Sequence, residues 1–369
     1  MKNISIKDKE IIEKIVNKFI NYLSIEKIYD YTSLIYENSN KEIKDNSLII
    51  FDETITLSQS LIDNNTVIKL FDEEGFYLNY PESNLKISIH GKYFDYKKEN
   101  IDNFKVLAIM HVYNEEDVIR QTILHLLNEG IDVYVLDNWS KDNTSVIINE
   151  LVKQYPSRVF SEKYPLNKDN DCYDWYHQLE KTEQLSKSLD YDWFIHYDAD
   201  EIRISPFTNA TLKEMLYMAD KLGFNLIENT VIDFKLTDRN QENIFMKDTY
   251  FAFGLKSGHF VQYKTWKKCL NIDLKKSGGH EAIIDNPKVF PLKVLNKHYP
   301  FRSIKQATKK VFIDRNTRYR QEERDIGWHS QYDVYKSEDD FIVSSKDLIL
   351  YDKDTIKKYY PRLFIDARL

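Results

Sequence analysis

The sequence predicts an α/β fold in which a mainly parallel sheet carries helices on its faces, with a helical and β-rich extension at the amino end. Two observations indicate this class. From residue 105 onward, short apolar runs rich in Val, Ile and Leu alternate with longer segments that repeat apolar residues every three or four positions. The short runs are typical of strands in parallel sheets, and the longer segments are typical of the helices that cover them.

Four segments are predicted along the 369-residue chain. Residues 1–47 have apolar residues at helical spacing, which predicts a helical element for packing or for assembly of a homo-oligomer. Residues 48–100 contain strand-like runs separated by Asn, Asp and Gly turns, which predicts a small β-rich appendage. Residues 101–330 carry the α/β pattern of the main domain, and residues 331–369 are predicted to pack on it as a tail.

The main domain begins with a βαβ pattern. Residues 106–110 form an apolar strand, a helical segment follows and ends at Gly130, and residues 133–136 form the next strand. We predict Asn114 as the N-cap of this helix, which places the three acids at 115–117 in its first turn. A first turn with three acids cannot attract a diphosphate, so a phosphate ligand would need positive charge from elsewhere.

Composition excludes several classes of protein. The formal charge of −7 gives no reason to expect a nucleic-acid partner. The sequence has no apolar stretch near the roughly 18 residues that a membrane-spanning helix needs, and its amino end lacks the apolar core of a secretory signal. The two cysteines, Cys172 and Cys269, lack zinc-site spacing and favour a reducing location. We therefore expect a cytoplasmic protein, free or at the inner face of the membrane.

Glycine is scarce, with nine residues in the chain and no glycine-rich phosphate loop. A bound phosphate group would therefore need another source of positive charge. The apolar run 191–195 is followed by Asp198, Asp200 and Glu201, which are expected at the carboxyl end of a strand. Acids clustered there repel one another unless a cation is present, and Mg²⁺ or Mn²⁺ binds carboxylates together with substrate phosphates. The alternative is a solvated acidic turn.

Four motifs occur in the order found in one known family. They are VYNEE at 112–116, LDNWSKDNT at 136–144, YDADE at 197–201 and HYPFRS at 298–303. Over about residues 104–330 the chain resembles the GT-A fold glycosyltransferases, in particular the family 2 and related group. The resemblance implies a Rossmann-like GT-A sheet and transfer of a sugar, of the hexosyltransferase type, from a nucleotide sugar.

The resemblance also implies partners and site residues. The donor would be a UDP- or GDP-sugar, the acceptor a hydroxyl of a glycan or glycolipid, and the process surface polysaccharide or glycoconjugate synthesis. The implied metal is Mn²⁺ or Mg²⁺ on Asp198 and Asp200. Beyond Asp198, the implied donor-binding residues are Tyr113, Asn114, Glu116, Asp137 and Asn138. Where the family often has a second Asp and a small residue, this chain has Asn138 and Trp139, so the nucleobase stays open.

Three further candidate residues lie later in the chain. His298 follows an apolar run and is a candidate third metal ligand, with a hydrogen-bonded core histidine as the alternative. The only Gly-Gly pair precedes His280 and Glu281, and its backbone freedom would let a loop approach a ligand closely. We predict Glu281 or His280 as the general base for the acceptor hydroxyl. A plain tight turn is the alternative, and retention or inversion stays open because the acidic pair of many inverting members has no clear copy.

A basic helix is predicted to begin near Ser303. Arg302 is a candidate for donor binding, because its guanidinium group matches phosphate oxygens with two hydrogen bonds. Lys309 and Lys310 are interpreted as part of a solvated helix face, with closure over a diphosphate as the alternative.

Three other functions were compared with the transferase. A sugar nucleotidyltransferase usually has a glycine-rich basic loop after its first strand, where this chain has residues 113–116. A phosphatase of the haloacid dehalogenase type also uses an Asp-x-Asp motif but has Thr or Val where Ile202 stands. A catalytically silent assembly subunit would keep the fold without turnover, and the intact acids argue against it.

Overall fold

The computed structural model describes residues 6–22, 28–30, 47–51, 59–70, 77–79, 86–90, 101–166, 173–254, 260–315, 318–325 and 327–366. The helices in this part of the chain are α1 (Ile6–Tyr22), α2 (Gln59–Asn64), α3 (Ile119–Asn128), α4 (Thr144–Gln154), α5 (Trp175–Ser188), α6 (Leu212–Lys221), α7 (Ile304–Thr308), α8 (Gln321–Asp325) and α9 (Lys353–Phe364). A π-helix, Lys309–Arg315, follows α7 directly.

The strands fall into two main groups. The first group is β1 (Ile28–Asp30), β2 (Leu48–Phe51), β3 (Thr66–Leu70), β4 (Tyr77–Asn79) and β5 (Lys86–His90). The second group is β6 (Val106–Val112), β7 (Asp132–Asp137), β8 (Val159–Lys163), β9 (Trp193–Asp198), β10 (Glu201–Ile204), β11 (Leu226–Phe234), β12 (Tyr250–Phe253), β13 (Val261–Lys267), β16 (Val294–His298) and β17 (Ile349–Leu350). A separate hairpin pairs β14 (Ile272–Asp273) with β15 (Ile283–Ile284).

The amino-terminal region is a small α/β unit. Its described strands form one sheet in the order β1-β2-β3-β5-β4, in which β1, β2 and β3 run parallel. The prediction that residues 1–47 are helical is therefore wrong for β1, which pairs with β2. Residues 1–5, 23–27 and 31–46 of that segment lie outside the described residues. The segment predicted to be β-rich, residues 48–100, also contains the helix α2, which lies between β2 and β3 in the chain.

The large sheet has the strand order β10-β16-β11-β13-β9-β6-β7-β8; off this path, β12 pairs with β11, and β17 pairs with β12. The α/β class is confirmed, but the sheet is mixed. The half formed by β9, β6, β7 and β8 is parallel, whereas β13 is antiparallel to both of its neighbours. The physical reason is the connections: helices α3, α4 and α5 separate the parallel strands, and no helix separates β11, β12 and β13 in the described residues.

The helix after β6 begins later than predicted. Asn114 has a positive φ of 56°, and the N-cap of α3 is Val118, without a side-chain cap. The prediction of Asn114 as N-cap is wrong, because the chain first forms a loop in which Glu115 and Asp117 bond Arg302. The three acids are therefore outside the first helical turn, and the argument that they exclude phosphate from a helix terminus loses its premise.

The helix α1 is part of the same hydrophobic core as the large sheet. Its apolar face is buried, and the ring of Phe19 meets the ring of Phe224 edge-on at 5.6 Å. The Lys18 ammonium donates a hydrogen bond of 2.6 Å to the carbonyl of Ile365, just after α9. Of the two roles predicted for this helix, the structure shows packing. No helix in the described ranges is long and apolar enough to cross a membrane.

Candidate active site

Polar side chains meet at the carboxyl ends of three adjacent parallel strands. In the register of β6, His111 lies beside Asp198 of β9, and Val112 lies beside Asp137 of β7. The ends of open α/β sheets form the crevice in which such proteins bind ligands. Asp137 and Asp198 therefore flank the end of β6, and Asp198 lies at the end of a strand, as the sequence predicts.

Asp137 is buried and anchors the loop that follows β7. Its carboxylate accepts hydrogen bonds from the Ser140 amide at 2.8 Å and the Ser145 hydroxyl at 2.5 Å. The ammonium of Lys163, at the end of β8, lies 2.6 Å from the same carboxylate and is more than a third exposed. The carboxylate is thus fixed in orientation beside a cation that faces solvent.

Asn138 and Tyr113 share a partner that the sequence analysis missed. The Arg318 guanidinium lies 3.6 Å from the centre of the Tyr113 ring and donates a 2.5 Å hydrogen bond to the side-chain oxygen of Asn138. Asn138 also donates to the carbonyl of Tyr164. The sequence gives no sign that Arg318 contacts Tyr113 and Asn138, because it lies about half the chain length after them.

The predicted residues of the loop after β6 connect two neighbouring loops. The Asn114 side chain accepts from the Lys141 amide at 2.8 Å and donates to Asp314 of the π-helix at 3.0 Å. The Glu116 carboxylate accepts two hydrogen bonds from Asn143, at 2.8 and 2.9 Å. These contacts order the rim of the crevice.

Asp198 and Asp200 each hold a lysine. Asp198, a third exposed, lies 2.6 Å from the ammonium of Lys264 on β13. Asp200 is buried and lies 2.7 Å from the ammonium of Lys310 in the π-helix. Burial alone would raise the pKa of Asp200. The positive charges of Lys310, His298 and Arg302 outweigh this effect, so the pKa lies well below its usual value. Both carboxylates are therefore ionised and paired with protein cations.

His298 ends β16 next to this pair. Its Nδ1 lies 2.7 Å from a carboxylate oxygen of Asp233, and its Nε2 lies 3.7 Å from an oxygen of Asp200. Burial lowers the pKa of His298, but the two carboxylates raise it more, so the net shift is upward. A carboxylate behind an imidazole fixes the ring orientation, and Asp233 is a neighbour that the sequence analysis did not identify.

Arg302 is fully buried and does not face the crevice. Its guanidinium donates to both oxygens of Asp117, at 2.8 and 2.9 Å, and to Glu115 at 2.7 Å. Lys310 is buried too, so the interpretation of a solvated helix face is wrong for it: the π-helical turn directs it inward. Lys309 is partly exposed and lies 3.9 Å from Asp142, which fits that interpretation better.

The loop with Glu281 and His280 borders the strand that ends at Asp198. The carbonyl of Gly279 lies 3.0 Å from Nδ1 of His196, and Glu281 forms a β-bridge with Tyr263 of β13. Gly279 has a φ of +90°, and a Cβ there would lie 2.8 Å from the His196 ring, so the close approach requires glycine. The roles of Glu281 and His280 stay predictions.

The donor atoms around Asp198 and Asp200, here called the acid pair, determine whether a divalent cation fits between them. In the part of the chain that the structure describes, no three His, Cys, Asp or Glu side chains are arranged to hold a metal ion. Asp198 and Asp200 each have an ammonium group at hydrogen-bond distance, whereas carboxylates that bind Mg²⁺ or Mn²⁺ direct oxygens at the ion. This arrangement does not fit a divalent cation. The metal roles of Asp198, Asp200 and His298 stay predictions.

Lys264 is the clearest residue that the sequence analysis missed. It has the same parity along β13 as Gln262 and Trp266, and all three side chains are buried. A lysine in phase with a tryptophan on a strand was the available signal, because alternate residues share a face. Its partner could not be read from that pattern.

Comparisons with known proteins place part of this site in a family. Residues 107–163 match the sequence model of the family described as Glycosyl transferase family 2. The match covers β6, β7 and β8 with their helices, and includes Asp137 and Asn138. No curated protein sequence matches the chain.

Two solved structures are similar to this chain, with low sequence identity and low TM-scores. A mannosyltransferase, PcManGT from Pyrobaculum calidifontis in complex with GDP-Man and Mn²⁺, is 15% identical over 37% of this chain and 36% of its own, with a TM-score of 0.25. TarS from S. aureus, in complex with UDP, is 14% identical over 53% of this chain and 61% of its own, with a TM-score of 0.30. The alignments span less than two thirds of either protein, so the assignment rests on the family match.

The segment that matches the family model contains Asp137 and the end of β6, beside Asp198. Over residues 107–163 the chain is similar to glycosyltransferases. More particularly, this β-α-β-α-β segment is similar to glycosyl transferase family 2, which confirms the predicted resemblance.

Proposed function

We propose that the protein is a glycosyltransferase that moves a sugar from a nucleoside diphosphate sugar to a hydroxyl group. The observation that carries this proposal is the position of Asp137 and Asp198 on either side of the end of β6, within and beside the segment that matches family 2. Hexosyl transfer to a glycan or glycolipid in polysaccharide or glycoconjugate synthesis, at the cytoplasmic side of a membrane, is the specific form that the sequence suggests.

The reaction exchanges one carbon-oxygen bond for another. The acceptor oxygen forms a bond to the anomeric carbon, and the bond from that carbon to the phosphate oxygen breaks. The nucleoside diphosphate leaves with the electron pair, and its charge must be stabilised by positive groups in the site. The acceptor proton goes to a base, for which we propose Glu281 or His280, because their loop borders β9.

The roles of the other residues follow from their locations. Asp137, Asn138 and Tyr113 lie where a nucleoside would enter the crevice, and Lys163 offers a partly exposed cation next to them. Asn114 and Glu116 order the rim through their contacts with the following loop. Asp198 and Asp200 lie beyond β6 and would face the diphosphate and sugar.

A binding screen tests this proposal. UDP, GDP and their sugars should be added to the protein with Mn²⁺ or with EDTA while the melting temperature is recorded. We expect one nucleotide series to raise it by several degrees, because a ligand that binds only the native state stabilises it. If no nucleotide or nucleotide sugar binds under either condition, the proposed function is wrong.

The two ends of β7 supply a matched pair of variants. Asp137 ends the strand beside Lys163, and Asp132 begins it with a 2.7 Å ion pair to Arg158 at the far edge of the sheet. Asp137→Asn should weaken nucleotide binding by about tenfold or more, since one well-placed charged hydrogen bond is worth roughly that much. Asp132→Asn should leave the affinity unchanged. Equal effects of the two changes in calorimetry would contradict a donor site at Asp137.

A further inference from the structure

Asp198 and Asp200 are each paired with a lysine of the protein. The Oδ2 atom of Asp198 lies 2.6 Å from Lys264, and the Oδ2 atom of Asp200 lies 2.7 Å from Lys310. Neither lysine is on the surface, because Lys264 is 3% and Lys310 is 9% exposed at the side chain. Buried ammonium groups persist only where carboxylates compensate them, so these pairs are structural features of the folded site.

The charges around the pair are already balanced. Glu201 shares Lys264 with Asp198, at 3.3 Å, and Arg302 lies 3.6 Å from Asp200 while it bonds two further acids. Followed through His298, the linked network contains six carboxylates and six lysine or arginine side chains, which are Asp198, Asp200, Glu201, Glu115, Asp117 and Asp233 with Lys264, Lys310, Arg203, Arg302, Arg315 and Lys235. A divalent ion added to this balanced network would leave its two positive charges uncompensated.

The backbone is shaped to bring Lys310 to Asp200. The short helix α7 changes at Lys309 into a π-helix, and the residues that this turn buries are Lys310, Val311 and Asp314. π-Helical turns are rare and are frequently found at functional sites. The Lys310 ammonium has three N–H groups; one is directed at Asp200, and a weaker contact of 3.3 Å joins it to the carbonyl of Pro300.

We propose that Lys310 and Lys264 supply the positive charge that a divalent cation would otherwise supply, so that the nucleoside diphosphate binds and leaves without a metal ion. This inference rests on the proposed function. It makes Lys310 and Lys264 donor-site residues, and it assigns Asp198 and Asp200 the task of holding the two ammonium groups in place. The charge on the departing diphosphate is then stabilised by fixed protein cations.

The first test uses the wild-type protein and the nucleotide, UDP or GDP, that stabilises it in the screen. Calorimetric titrations are run in excess EDTA and in Mn²⁺, and Mn²⁺ is also titrated alone. We expect dissociation constants that agree within about threefold, and no saturable binding of Mn²⁺ alone. Nucleotide binding that occurs only with Mn²⁺ would overturn the inference and leave the proposed function intact. Absence of binding under both conditions would refute the proposed function itself.

The second test uses variants in EDTA. Lys310→Gln should weaken nucleotide binding by about tenfold or more, and Lys310→Arg should retain most of it because the charge remains. Lys293 is the matched control, because it is also a buried lysine paired with a carboxylate. It directly precedes β16, and its partner is Glu228 on β11. Lys293→Gln should lower the melting temperature and leave the affinity of the remaining folded protein unchanged. Wild-type affinity in Lys310→Gln would overturn the inference.

Discussion

Arg302 shows how a single buried side chain organises the rim of the crevice. Its guanidinium holds Glu115 and Asp117 of the loop after β6, and its backbone follows β16 on the other half of the sheet. The residue therefore joins two elements that are distant in sequence. Its role in the described structure is to position the loop.

A comparison of two arginines tests this role. Arg302→Gln should lower the free energy of unfolding by about 3 to 5 kcal/mol, because two buried or half-buried carboxylates lose their partner. Arg239, half exposed, also bridges two acids, Glu338 and Asp339. Arg239→Gln should cost less than about 1 kcal/mol, since solvent screens exposed pairs. Urea unfolding measures both, and similar losses would contradict the argument.

Two buried histidines lie beneath Asp198. The rings of His111 and His196 are 5.8 Å apart, and burial lowers the pKa of each to about 3. The Nε2 atom of His111 lies 2.7 Å from the hydroxyl of Thr182 on α5. Both imidazoles are therefore neutral in the folded protein at any pH above about 4.

The neutral state of His111 predicts an acid-sensitive stability. Between its ordinary pKa of 6.5 and the folded value near 3, the unfolded chain binds a proton that the folded chain does not. Lowering the pH from 7 to 5 should therefore cost about 2 kcal/mol of stability through this residue. The variant His111→Gln should lose correspondingly less over the same range in urea unfolding. An identical pH dependence of the two proteins would contradict this assignment.

At the level of residues, the sequence predicted the acids but not their cations. Asp198 and Asp200 could be placed because they directly follow an apolar run that had to be a strand. Lys264 and Lys310 lie 66 and 110 residues from the aspartates they bond, and no local pattern joins residues at such separations. The expected external cation was an inference from repulsion among acids that the protein's own lysines relieve.

Among the elements, α1 was predicted correctly as a helix from the spacing of its apolar residues, but the predicted helix included β1. The apolar stripe has the 3.6-residue repeat of a helix, and the structure buries it against the large sheet. The prediction of helix up to residue 47 is wrong at β1, because the spacing of apolar residues does not fix where a helix ends. The start of α3 was misplaced for a related reason: polar contacts of the loop outweigh the N-cap preference of Asn114.

Two adjacent residues of α1 test its contribution to the whole domain. Phe19 is fully buried, whereas Ile20 is 36% exposed. Phe19→Ala should lower the free energy of unfolding by about 3 to 5 kcal/mol, because it leaves a cavity beside Phe224. Ile20→Ala should cost roughly 0.5 kcal/mol. Equal and small effects would mean that α1 can detach while the sheet stays folded.

Over the whole molecule, the alternation of strands and helices predicted the class and the parallel half of the sheet. The mixed half was not predicted, because it depends on β11, β12 and β13 following one another without a helix between them in the described residues. The polarity of a strand depends on the path of its connection, which short apolar runs do not reveal.

This division of the sheet affects the order in which its parts can fold during synthesis. Residues 101–204, which hold Asp137, Asp198 and Asp200, leave the ribosome before β13, Arg302 and the π-helix exist. A nascent chain that closed its parallel strands early would bury acids without their lysines. The final closure of those strand ends must therefore wait for roughly a hundred later residues, which makes this corner of the molecule late to fold.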